Sequence, residues 1–179
     1  GNRDFAVVRY NNNGTLDNTF DTDGKVTTNI GGSNNIGKSV ALQSDGKIVV
    51  AGSGYNDFAV VRYNSNGTLD NTFDTDGIVN TDVGNIDDVG KSVAIQSDGK
   101  IVVAGDSYNG ANYDFAVVCY NSNGSLDITF DTDGKVTTAI GSAFDIAFGV
   151  ALQSDGKIVV GGFSENGTNN DFAVVRYNN

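Results

Sequence analysis

The chain has no histidine, proline, methionine or tryptophan, and only one cysteine and one glutamate. Without histidine it lacks the commonest general base and the commonest zinc ligand. The single cysteine, Cys119, excludes an intrachain disulfide. Its counterparts in the repeats described below are Arg9, Arg62 and Arg176, which speaks against a catalytic thiol. No run approaches the roughly 20 apolar residues of a membrane helix, and no signal peptide is visible, so membrane insertion is not expected. The missing methionine, even at position 1, suggests a processed or excised piece. Basic residues are scarce, 11 against 22 acidic, for a net charge of -11. That balance argues against a nucleic-acid partner, because phosphate neutralisation needs basic clusters. With Glu165 the lone glutamate, the acidity is nearly all aspartate, whose short side chain bonds the backbone two residues on and so favours turns.

Hydrophobic residues make up 39% of the 179. They gather in short runs of Val, Ile, Ala and Phe separated by Asn, Asp, Gly, Ser and Thr, the pattern of strands joined by turns. The runs repeat. "DFAVV" recurs at Asp4, Asp57, Asp114 and Asp171, at periods of 53, 57 and 57 residues. "SDGKIVV" appears at Ser44–Val50, Ser97–Val103 and Ser154–Val160, and "TFDTDG" at Thr19–Gly24, Thr72–Gly77 and Thr129–Gly134. The shorter first period arises where "GSGYNDF" replaces "GDSYNGANYDF", the length variation that a repeat scaffold tolerates in a loop.

Each unit holds four strand-like runs, A to D, illustrated by "SVALQ" at 39–43, "KIVVAG" at 47–52, "DFAVVRY" at 57–63 and "IVNTD" at 78–82. The "SDG" between A and B sets up a tight hairpin with glycine free to take positive φ. The first three runs are apolar on both faces, with Phe58 and Val60 pointing one way and Ala59 and Val61 the other. Such strands need neighbours above and below their sheet. The more polar D run suits an outer edge. No helical periodicity is present, and small four-stranded antiparallel sheets stacked face to face are the blades of a β-propeller. The expected fold is therefore all-β, a single repeat array over 1–179. It divides into strands C-D at 4–30, blades at 38–82 and 91–140, and a partial A-B-C blade at 148–177.

"DFAVVRYNSNGTLDNTF" at Asp57–Phe73 and "VAIQSDGKIVVAG" at Val93–Gly105 resemble the delta-60 repeat, a bacterial β-propeller repeat family, and the resemblance covers essentially the whole chain. Serine stands before the "DGK" turn where that family often has proline, and "DTDG" stands where it tends to be glycine-rich. The resemblance implies a propeller in a secreted or surface setting. It implies no activity.

Propellers close with about four to eight blades, so this segment is expected to be incomplete by itself. If each open face bears about eight apolar side chains worth roughly 1.5–3 kcal/mol each, exposing one forfeits on the order of 10–20 kcal/mol. That rivals a domain's whole stability of about 5–15 kcal/mol. Self-association into a ring or a head-to-tail filament, or continuation of the array, is the expectation.

The most site-like motif is "LDNTFDTDG". It groups Asp17, Asp21 and Asp23, then Asp70, Asp74 and Asp76, then Asp127, Asp131 and Asp133. Clustered carboxylates in a glycine-ended loop are candidate calcium ligands, with solvated turn aspartates as the plainer reading; no other cofactor is expected. The strand arginines Arg9, Arg62 and Arg176 must reach solvent or pair, with the "DF" aspartates or a neighbouring blade as the expected partners. Asn13, Asn66, Asn123 and Asn166 begin N-G-[ST] triplets, a glycosylation pattern that is also the preferred hairpin turn. The segments that differ most between repeats, Asp106–Tyr113 and Phe163–Asn170, are read as long B–C loops. Tyr108, Asn109, Tyr113, Phe163 and Asn166 in them could contact a glycan or surface protein. No asymmetric catalytic constellation stands out. The sequence therefore suggests a non-enzymatic structural repeat protein, extracellular or at the cell surface, or alternatively a binding module working through the B–C loops.

Overall fold

The computed structural model describes residues 2–84 and 86–178. The repeats fold into thirteen strands in four antiparallel sheets. The first sheet pairs β1 (Phe5–Val8) with β2 (Lys25–Thr28). The second runs in order through β3 (Ile36–Leu42), β4 (Ile48–Gly54), β5 (Asp57–Tyr63) and β6 (Ile78–Thr81). The third repeats this with β7 (Asp88–Ile95), β8 (Ile101–Tyr108), β9 (Tyr113–Tyr120) and β10 (Lys135–Thr138). The fourth holds β11 (Asp145–Leu152), β12 (Ile158–Glu165) and β13 (Asn170–Tyr177). The four sheets do not close into a ring.

The A strands begin at Ile36, Asp88 and Asp145, ahead of the spans drawn from the repeats. Their first residues pair with the B strand across a bulge at Lys38, Lys91 or Phe148, where the register slips by one. The bulge pushes the A-strand carbonyl into the B strand. A Cβ on Gly105 would stand 1.9 Å from the Val89 oxygen, and one on Gly52 the same distance from that of Ile36. Glycine is the only residue that fits there. The "SDG" hairpins form as expected, with Gly46, Gly99 and Gly156 at φ of 86–87°.

The core lies between the sheets. Phe58 and Val60 of β5 pack with Val93, Val103 and Ala116 of the third sheet, while Ala59 and Val61 of the same strand pack with Phe5 and Val50. Between the third and fourth sheets, Phe115 and Val117 meet Ala147 and Val160. The inner B and C strands thus contribute to two joints, as their two-faced apolar pattern requires. Polar stitches recur with the same period: Tyr63, Tyr120 and Tyr177 donate from one sheet to Thr28, Thr81 and Thr138 of the sheet before, at 2.7–2.9 Å. The Val93 and Val150 amides donate to Ser39 and Ser92 of the preceding A strands at 3.2 Å.

Candidate functional site

The "LDNTFDTDG" loops sit at the blade joints, where their aspartates are divided among separate tasks. Asp70 Oδ1 accepts from the Thr72 amide and hydroxyl, closing its own turn. Its Oδ2 accepts from Arg62 Nε at 2.7 Å. Asp76 Oδ1 accepts from the Ile78 amide, and the Asp74 amide donates to the Asn123 carbonyl of the next blade at 2.8 Å. Asp17 and Asp127 cap Thr19 and Thr129 in the same way, and Asp23 and Asp133 accept from the Lys25 and Lys135 amides. Asp21, Asp74 and Asp131, with the threonine after each, lie at φ of 43–70°. Among the described residues the three carboxylates of a loop nowhere gather as a ligand group; turn chemistry accounts for their arrangement.

Of the strand arginines, Arg9 and Arg62 pair with these loop aspartates, not with the "DF" aspartates. Arg62, 4% exposed, lies over the Phe73 ring at 4.7 Å and reaches the Ser122 carbonyl of the next blade at 2.5 Å. Arg9 makes the corresponding contacts with Asp17, Phe20 and the Ser65 carbonyl. A planar fork that holds a carboxylate and a carbonyl together locks one blade to the next. In the third blade Cys119 replaces this arginine, and Lys100 takes over, with its ammonium 2.8 Å from Asp127 Oδ2. The equivalent Lys47 stands farther from Asp70, at 3.5 Å, where Arg62 already occupies the carboxylate. Burial, with the Asp127 charge adding to it, pushes the Cys119 thiol up to about 12, so it is a packing residue rather than a nucleophile.

The B–C segments are shorter as loops than the sequence suggests. Tyr108 ends β8 and Tyr113 opens β9, directly paired across the hairpin. Phe163 lies within β12, paired with Phe172 on one side and Ile146 on the other. Strand pairing has absorbed these ends because the longer hairpins can extend the ladder. Asn109 and Asn166 serve their own turns: the Asn109 oxygen accepts from the Ala111 and Asn112 amides, and each side-chain nitrogen donates to the following "DF" aspartate, Asp114 or Asp171. In the N-G-[ST] triplets, Asn13, Asn66, Asn123 and Asn166 accept from the hydroxyl two residues on, the geometry of a turn. Tyr108, Tyr113 and Phe144 form an aromatic group, with ring centroids 5.1 and 6.1 Å apart along the chain of contacts. The Tyr113 hydroxyl donates to Asp87 at 2.6 Å, and this bond, with burial, raises its pKa to about 12.

Two further features stand out, the first expected from the repeat count and the second visible only in the fold. The first is the set of large apolar side chains on the outer faces: Phe172 and Val174 on the fourth sheet, 103% and 71% exposed, and Val40 and Leu42 on the second, 60% and 72% exposed. The counterparts of Phe172 and Val174 in the inner blades, Phe58, Phe115, Val60 and Val117, are fully buried. The second is a group formed by Asp57, Asp82 and Asp88, each with a carboxylate oxygen within 4.8 Å of the others. Repeat alignment could have flagged Asp82, since Asn29 and Ala139 occupy the equivalent positions.

Sheets stacked through two-faced strands, with a short D strand at the outer edge of the first three, make this a β-propeller repeat protein. The chain belongs to the family described as "Domain of unknown function (DUF5122) beta-propeller", whose profile matches residues 1–20, 43–73, 96–130 and 153–179. Those segments hold the C strand with its loop and the B strand of successive repeats. No curated protein matches the chain.

Proposed function

We propose that the chain is a non-enzymatic structural repeat module of the delta-60 kind, part of a bacterial extracellular or cell-surface assembly. Its blades are completed by further blades, from other copies or from continuation of the array. One observation carries this reading: the same phenylalanine and valine are buried when a blade follows and bare when none does. Sheet faces built from such side chains gain roughly 1.5–3 kcal/mol per residue when covered. The acidic, histidine-free composition and the thrice-repeated turn chemistry of the loops support a scaffold rather than an enzyme.

Sedimentation velocity over a wide concentration range tests completion by other copies. The expected result is association beyond the 18.6 kDa monomer that is lost in a Phe172→Lys, Val174→Lys variant. A monomer at every concentration would overturn self-association and leave continuation of the array, which the intact mass of the native polypeptide reads directly. The Tyr108–Tyr113–Phe144 group favours a second reading, a module that binds carbohydrate or protein, because clustered aromatics offer apolar contact area with a polar handle on each tyrosine. Glycan-array binding lost in Tyr108→Ala would support it; no binding would sink it.

A further inference from the structure

We propose that Asp57, Asp82 and Asp88 form a calcium site, one per chain, at the outer end of the second blade where it meets the strand opening the third. The three residues come from β5, from the turn after β6 and from the start of β7, and backbone pairing brings them together.

Asp88 is 1% exposed. Its Oδ2 accepts from the Val83 and Gly84 amides at 2.7 and 2.9 Å, while its Oδ1 is buried with no hydrogen-bond partner. An unpaired buried carboxylate oxygen costs free energy unless a cation or donor meets it. That oxygen, Ser107 Oγ and the Tyr108 carbonyl converge beside Gly84, where a Cβ would come within 3.2 Å of all three. The lining there is oxygen, which suits a hard cation.

Asp57 is open to a ligand for a structural reason. In the longer hairpins an asparagine fills the same carboxylate, Asn109 on Asp114 and Asn166 on Asp171. The two-residue turn at Tyr55 and Asn56, both at positive φ, has no such residue. No basic group lies within 4.0 Å of the Asp57, Asp82 or Asp88 carboxylates among the described residues. Lys135 touches only the Asp82 backbone carbonyl, at 3.1 Å.

The neighbouring repeats act as internal controls. The equivalent set is Asp4, Asn29 and Asn35 in the first blade and Asp114, Ala139 and Asp145 in the third. Neither assembles three carboxylates, although the third blade repeats the buried, unpaired Oδ1 at Asp145. Calcium takes six to eight oxygens, so three carboxylates leave positions for water and imply an affinity of the extracellular class, Kd about 10⁻⁴–10⁻³ M.

Isothermal titration calorimetry with calcium chloride, and with magnesium chloride for comparison, tests this on the whole chain. The expected result is one calcium per chain, with affinity falling at least tenfold in Asp82→Asn. Because Asp82 is exposed, that variant keeps its fold, and circular dichroism verifies it. In Ala139→Asp combined with Asn109→Ala, which gives the third blade the missing carboxylate and frees Asp114 from its asparagine, the expected stoichiometry rises to two. No binding heat together with a melting temperature indifferent to calcium and chelator would overturn the site. So would three calcium ions per chain, which would point to the "DTDG" loops, or an affinity unchanged in Asp82→Asn.

Discussion

Phe58, Phe115 and Phe172 occupy the same place in three successive repeats, and replacing each by alanine separates blade stacking from intrinsic strand stability. The Phe58 ring presses on the glycine bed of the next blade: a Cβ on Gly105 would come within 3.0 Å of its Cζ, and one on Gly90 within 3.6 Å of its Cδ2. Sheet backbone on the far side cannot collapse into the vacated space, so truncation leaves a cavity as well as losing burial. Phe→Ala in such a setting costs about 3–5 kcal/mol, a large share of a total near 5–15 kcal/mol. Phe115, equally buried in the following joint, should cost a similar amount. Phe172 is 103% exposed, so in dilute protein its replacement should fall within about 0.5 kcal/mol of zero, as for an ordinary surface change. Guanidinium unfolding followed by circular dichroism, with midpoints compared at matched slope, reads the three costs. A Phe172→Ala cost equal to that of Phe58→Ala in dilute protein would mean the fourth sheet's face is covered within the chain. A negligible cost for Phe58→Ala would refute stacking as the source of stability.

Four further outcomes follow from the joints and their loops. Lys100→Ala should cost about 1–3 kcal/mol by stranding the nearly buried Asp127, whereas Lys47→Ala should cost less than about 1 kcal/mol, since Asp70 keeps Arg62; equal losses in thermal melts would contradict the proposed substitution of Lys100 for the missing arginine. Burial by itself lifts the Asp127 carboxyl, but hydrogen bonds from Lys100 and Thr129 outweigh it and hold the carboxyl below its ordinary 3.8. Its contribution is therefore present above about pH 3.8 and is lost as pH falls through the lowered value, so acid unfolding of Lys100→Ala should begin at higher pH than in the parent. Cys119, with its thiol near 12, should resist iodoacetamide at mildly alkaline pH while folded and react fully in denaturant, and mass spectrometry distinguishes the two. Thr75, a β-branched residue at φ of 70°, should be replaced by glycine with a gain of about 1 kcal/mol; a lower melting temperature would show that its methyl or hydroxyl outweighs the strain.

The strands, their order within each blade, the polar outer edge and the tight turns are all legible in the residue pattern. All of these depend on neighbours a few residues away: glycine at the hairpin, aspartate capping the amide two residues on, apolar side chains on both faces of one strand. The B–C segments show where local reading stops, because Tyr108, Tyr113 and Phe163 look like loop residues until the opposing strand supplies pairing partners. Tertiary structure decided the rest. Arg62 meets Asp70 from its own loop and Ser122 from the next blade; the charge pattern allowed either that or Asp57. Asp57, Asp82 and Asp88 converge although 25 and 31 residues separate the first from the others, because antiparallel pairing and the blade connection return the chain to the same edge. Identical "DFAVV" segments are core in two blades and open surface in the last. A strand's sequence specifies that it has two apolar faces, and only the stacking of sheets determines whether each face is covered.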